Sequence, residues 1–184
     1  MGGPYPVRPH SVMNLEQLLD TVPNFAKDLK LNLGNLLQQP ELTKQQTWGT
    51  ALTSAITARN PVLLKAIEEK ALEHLKPEAA EAARSAAAIM GMNNVYYRFL
   101  HLTKNEKYAT IPARLRMNAI RSHGIEALDF ELFCIAASAI NGCGACVDSH
   151  EKVVREKGAD ESIVLACVRI ASVVQALATV LPAA

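Results

Sequence analysis

An apolar run that stops abruptly at Asn141-Gly142, with two cysteines three residues apart just beyond it, forces a helix hairpin on this part of the chain. The run is Phe130-Glu131-Leu132-Phe133-Cys134-Ile135-Ala136-Ala137, and Asn-Gly after such a segment is a strong helix-ending signal. A second helix is therefore predicted to start near Cys143, with Cys143-Gly144-Ala145-Cys146 in its first turn. Residues three or four apart share a helix face, which sets Cys143 beside Cys146 and Cys146 beside His150. Glu131 is twelve residues upstream of Cys143. An unbroken helix would hold it roughly 18 Å away. Only the turn can bring it back towards His150.

These residue types in this pattern point to thiol chemistry. A cysteine reacts as the thiolate, and the first turn of a helix, with its unpaired N–H groups and dipole, favours negative charge there. The spacing puts His150 next to Cys146 rather than Cys143, which makes Cys146 the expected attacking thiol, activated by His150 directly or through water. In this scheme a peroxide oxygen is attacked by Cys146 to give a sulfenic acid, which condenses with Cys143 to form a disulfide. Glu131 orients His150 and selects its tautomer. Two other readings stay open at this level. Cys143, Cys146, His150 and Glu131 could form one four-ligand metal site, although closed zinc sites usually draw on two separated ligand pairs and the chain has no second pair. The cysteine pair could also be structural or incidental.

The rest of the chain reads as all-α, with no convincing strand. Helices are expected within 15–37, with a longer one opened by Pro23 and running to Leu33, and then over 43–59, 62–75 and from Pro77 to Leu102. A polar loop over 104–110, a short basic helix over 112–122 ending at His123-Gly124, and a strongly apolar last helix over 161–180 complete the reading. Thr53-Ser54-Ala55-Ile56 before Asn60-Pro61 parallels Ala137-Ser138-Ala139-Ile140 before the cysteines. Either an internal duplication or a recurrent helix-packing pattern explains it, and in that register Arg59 and Val62 stand where Cys143 and Cys146 do. Cys134 and Cys167 lie on apolar helices and read as buried small hydrophobes. His74, His101, His123, Trp48, Tyr96, Tyr97 and Phe99 are read as packing or surface residues, and Arg114, Arg116 and Arg121 as a solvated basic face or subunit salt bridges.

Composition narrows the class. At 184 residues, 49% hydrophobic, the chain suits one sizeable core, so residues 13–184 are expected to form a single domain. Residues 1–12, with three prolines and two glycines, read as a disordered extension or an expression scar. A net charge of +1 with interleaved signs offers no footprint for nucleic acid. No apolar run is expected to reach the length of a membrane span, and no secretion signal is visible, so a cytoplasmic location is expected, where disulfides are usually transient and catalytic.

Phe130-Glu131, the string Ser138-Ala139-Ile140-Asn141-Gly142-Cys143-Gly144-Ala145-Cys146 and His150 together resemble the AhpD family of the carboxymuconolactone decarboxylase-like superfamily. Further matches are Lys27-Asp28-Leu29-Lys30-Leu31-Asn32-Leu33, Trp48-Gly49-Thr50 and Ala88-Ile89-Met90-Gly91-Met92-Asn93-Asn94-Val95-Tyr96-Tyr97-Arg98, so the resemblance extends over nearly everything after Met13. It implies an AhpD-like helical subunit, usually a homotrimer, with weak alkyl hydroperoxide peroxidase activity and transfer of electrons to the peroxiredoxin AhpC. It also implies that Cys146 forms the sulfenic acid, that Cys143 is proton donor and disulfide partner, and that His150 and Glu131 form the proton relay. A dihydrolipoyl-bearing protein is the implied electron donor; neither a cofactor nor a metal is implied. Well-studied members of the family carry a histidine between the two cysteines where this chain has Ala145. The alternatives kept beside this reading are a metal-binding Cys/His module and a non-redox member of the superfamily.

Overall fold

Asn14 and Thr43 open α1 (Leu15–Asp20) and α3 (Lys44–Ala58) by one device: each side chain accepts the N–H three residues on, from Gln17 and Gln46, whose own side chains reach back to the cap. The computed structural model describes residues 13–182, so the extension expected over residues 1–12 lies outside the described residues. Pro23 leads into a 3₁₀ turn, Asn24–Ala26, and α2 (Lys27–Leu36) starts only after it. Asn60 accepts from the N–H groups of Val62 and Leu63, and with Pro61 in the first helical position it starts α4 (Pro61–Leu72). Pro77 opens α5 (Pro77–Leu102). Then come α6 (Ala127–Asn141), α7 (Gly144–Glu156) and α8 (Glu161–Val180), the last capped by Asp160. Among the described residues there is no strand.

Helix α6 is the axis of the core. Phe130, Leu132, Phe133, Cys134, Ile135, Ala136 and Ala137 are all fully buried, because α3, α5, α7 and α8 pack around it. A helix apolar on every side is stable only in such a position. Its register against α3 is held by Asp129, a buried carboxylate that accepts from Gln45 Nε2 at 2.7 Å and Gln46 Nε2 at 2.8 Å. One continuous buried cluster runs from Leu15 to Leu181.

Three sequence expectations need correction. The short basic helix over 112–122 is absent. Only one 3₁₀ turn forms there, Asn118–Ile120, and Arg114 takes a left-handed φ of 52°. None of its residues is fully buried, and an isolated segment of this length cannot offset helix nucleation without packing. Second, α8 is long and apolar enough to cross a bilayer by length and composition. In this fold its Ala166, Cys167, Ile170, Ala171, Val174 and Leu177 instead form the inner face against the core.

The third concerns the repeat. Helices α3 and α6 both end on a left-handed residue, Arg59 at φ 61° and Gly142 at φ 66°, and each is followed by a medium helix and then a long one. That shared cap aligns Asn60 with Cys143 and the buried Leu63 with Cys146, one residue from the register read in the sequence.

Candidate active site

Gly142 supplies the positive φ that turns α6 into α7, and the turn is closed by the Cys143 N–H donating to the Ser138 carbonyl at 3.0 Å. Cys143 is thereby the N-cap of α7, with its carbonyl accepting from Cys146 N–H at 3.1 Å and Val147 N–H at 2.9 Å. No side chain caps this helix, so its positive end acts on the two sulfurs. They lie at disulfide-bonding distance, with Cα atoms 5.3 Å apart. Cys143 is fully buried; Cys146 is 5% exposed and borders a cavity.

The hairpin returns Glu131 to His150. Glu131 Oε2 and His150 Nδ1 are 2.6 Å apart, a charge-assisted distance, and both side chains are nearly withdrawn from solvent. The other ring nitrogen, Nε2, lies 3.2 Å from Met90 Sδ on α5. The imidazole thus meets a carboxylate on one side and a thioether on the other, two acceptors. Among the described residues neither ring nitrogen hydrogen-bonds a cysteine sulfur, so proton exchange with Cys146 needs an intervening water or a ring movement.

Helix α5 contributes more than Met90. Asn94 Nδ2 donates to Ser138 Oγ at 2.9 Å, Asn141 Nδ2 donates to Asn94 Oδ1 at 2.9 Å, and Arg98 donates to the Asn141 carbonyl. This network ties α5 to the turn that sets Cys143. Nothing in the cysteine motif announces it; the available signal was an Asn93-Asn94 pair inside an apolar, alanine-rich helix. The cavity beside Cys146 has a volume of about 470 Å³, and Glu131, His150, Asn93, Tyr97, Met117 and Ile120 are among its lining residues. Ala145 lines it too, at the position between the cysteines. A second cavity, of about 450 Å³ along α4 and α5, touches no sulfur.

The remaining candidates are elsewhere. Cys134 and Cys167 are buried free thiols. Burial pushes the Cys167 thiol up to about 12, partly offset by hydrogen bonds from Thr50 and the Ala136 backbone. Burial, then the negative charge of Glu131 and the neighbouring Cys167, push the Cys134 thiol well above the ordinary range. Neither supplies a thiolate near neutral pH. His74 stacks on Trp48 at 4.7 Å and His123 on Phe130 at 4.3 Å, so both are packing residues. Arg114, Arg116 and Arg121 are exposed. Among the described residues no three His, Cys, Asp or Glu side chains converge as a metal site.

Comparison with known proteins matches residues 106–184 to the carboxymuconolactone decarboxylase family. The alkyl hydroperoxide reductase AhpD of Solibacter usitatus is 58% identical over 169 residues, which cover 92% of this chain and 96% of that protein. The protein of the same name from Acidobacterium capsulatum is 59% identical over 172 residues, 93% of this chain and 94% of its own. That of Koribacter versatilis is 53% identical over 172 residues, 93% and 89%.

Proposed function

Since the chain belongs to the AhpD family, we propose that it is a thiol-dependent alkyl hydroperoxide reductase, an antioxidant enzyme that works through Cys146 and Cys143. The observation that carries this reading is the 2.6 Å Glu131–His150 pair on the wall of the cavity that Cys146 borders. His150, oriented by Glu131, takes the thiol proton of Cys146 through an intervening water. The thiolate attacks the terminal peroxide oxygen: an S–O bond forms, the O–O bond breaks, and the electron pair leaves on the alkoxide. His150 returns the proton, releasing an alcohol and leaving Cys146 as a sulfenic acid. Cys143 then attacks the sulfenic sulfur, its thiol proton departs with the hydroxyl as water, and the Cys143–Cys146 disulfide closes.

A dihydrolipoyl-type dithiol on a partner protein restores both thiols and is itself oxidised to its cyclic disulfide. Because Cys143 is fully buried and Cys146 borders the cavity, the dithiol attacks Cys146 first and Cys143 leaves as thiolate. The peroxiredoxin AhpC is the proposed acceptor of those electrons. We read residues 13–184 as one domain, located in the cytoplasm and assembled as a homotrimer. Val95, Phe99 and Leu102 are exposed on one stripe of α5, with Tyr108 edge-on to Phe99 at 5.3 Å between ring centres, an apolar surface suited to a second copy.

Free-thiol titration of the reduced protein, with and without a slight excess of tert-butyl hydroperoxide, tests the cycle. Two thiols should disappear, peptide mapping should return a Cys143–Cys146 bond, and dihydrolipoamide should restore both. Unchanged thiols would overturn the peroxidase reading and leave a metal-binding or non-redox role.

A further inference from the structure

Asn93 Oδ1 is, among the described residues, the one buried side-chain nitrogen or oxygen without a hydrogen-bond partner. The residue is 5% exposed and lines the same cavity as Cys146, His150 and Glu131. A buried carbonyl left unpaired costs folding free energy, so a fold that keeps one beside a reactive sulfur calls for a ligand that pairs it. Its neighbour shows the contrast. Asn94 is paired on both ends of its carboxamide, to Ser138 and Asn141. That pairing sets the rotation of α5 and with it the face that presents Met90, Asn93 and Tyr97 at spacings of three and four to the hairpin.

We propose that Asn93 is the substrate-positioning residue of this cavity: its carboxamide hydrogen-bonds an organic hydroperoxide and aims the terminal oxygen at Cys146. The inference rests on the peroxidase reading and deepens it. Oδ1 itself is closed off from solvent, so the Asn93 carboxamide turns its carbonyl towards the ligand and accepts the O–H of the hydroperoxide, which fixes the oxygen that ends on sulfur as the O–O bond breaks and the alkoxide leaves to take its proton from His150. Met117, Ile120, Val153 and the Tyr97 ring line the cavity with apolar surface, and about 470 Å³ holds an organic group of several carbons. This lining suits the alkyl group of the hydroperoxide already proposed as substrate. Hydrogen peroxide would use Asn93 and leave the apolar wall unfilled.

Stopped-flow oxidation of the reduced full-length protein by tert-butyl hydroperoxide tests this, comparing wild type with Asn93→Leu and Asn93→Ala. The second-order rate constant should fall about 3- to 10-fold in both, the loss typical of one neutral hydrogen bond that orients the reacting group. Alkylation of the same thiols by iodoacetamide, which needs the thiolate but no peroxide hydrogen bond, should stay within about twofold. Asn93→Leu should melt no lower than wild type, because it removes an unpaired polar group at similar volume. Oxidation of the variants at the wild-type rate overturns the proposal, as does an equal fall in peroxide and iodoacetamide rates, which would make Asn93 structural. A wild-type protein that alkylates normally and ignores the peroxide overturns the peroxidase reading itself.

Discussion

Replacing Gly49 with alanine sets two opposed effects against each other, and the structure decides the sign. Gly49 is inside α3, where alanine is favoured over glycine by about 1 kcal/mol on helix propensity. A Cβ at this position would lie 2.0 Å from Phe133 Cζ, 2.4 Å from Cε1 and 2.8 Å from Cε2. Carbon contacts are comfortable at about 3.5–4.0 Å, so the ring must retreat by roughly 1.5–2 Å. Rotation about χ2 gives no relief, because Cζ lies on that axis. Phe133 is fully buried, so retreat means a changed χ1 or a separation of α3 from α6. Overpacking of this kind costs about 1–3 kcal/mol and more when the overlap is severe. With the propensity gain subtracted, Gly49→Ala should destabilise by about 2 kcal/mol, or roughly 4–8 °C in Tm for a chain of this size. Phe133→Leu removes the three ring atoms that meet the new methyl and so tests the cause. Alone it should destabilise by opening a cavity; combined with Gly49→Ala it should be more stable than the sum of the two by about 1–3 kcal/mol. Thermal melts by circular dichroism at one fixed protein concentration, supported by urea titration, measure all four proteins. An unchanged or higher Tm for Gly49→Ala, or strict additivity in the double variant, would refute the reasoning.

Three further outcomes are expected. Glu131→Gln keeps a side chain of the same shape but removes the carboxylate 2.6 Å from His150 Nδ1, so single-turnover peroxide oxidation should slow roughly 10- to 100-fold with the far-UV spectrum unchanged; full rate in this variant would remove Glu131 from the relay. Asn60→Ala loses the cap on Val62 and Leu63 together with the carboxamide donor to the Ala178, Leu181 and Pro182 carbonyls, and urea unfolding should show a loss of about 2–4 kcal/mol; under 0.5 kcal/mol would mean these bonds are made equally well with water. Cys167, raised to about 12 in the fold, ionises near pH 8.5 when unfolded, so between these values the unfolded chain binds fewer protons and stability falls as pH rises. The stability gap between wild type and Cys167→Ala should therefore be full at pH 8 and narrower at pH 10.5 by urea denaturation; a gap independent of pH would contradict the assigned burial.

The arrangement also separates the four cysteines into two environments. Cys146 stands at the positive end of α7 on a cavity wall, whereas Cys134 and Cys167 are in the all-apolar interior of α6 and α8, where a thiolate is costly. In the proposed cycle, helix position and contact with the cavity set Cys146 apart from Cys134 and Cys167.

What this sequence determined by itself is what acts over one or two helical turns. Asn14, Thr43, Asn60 and Asp160 cap the helices they precede, Pro61 and Pro77 stand in first helical positions, and Asn141-Gly142 ends α6 where the hairpin needs it. From that turn and a spacing of four, the cysteines, His150 and the return of Glu131 follow, since local hydrogen bonding and helix periodicity depend only on nearby residues. Tertiary structure decided the rest. Met90 against His150, Asn93 on the cavity wall, Asp129 between Gln45 and Gln46, and Phe133 over Gly49 all join residues 38 to 84 positions apart. The segment over 112–122 shows the same limit from the other side: its helical spacing is present, but none of its residues is fully buried, and spacing with so little burial does not hold a helix.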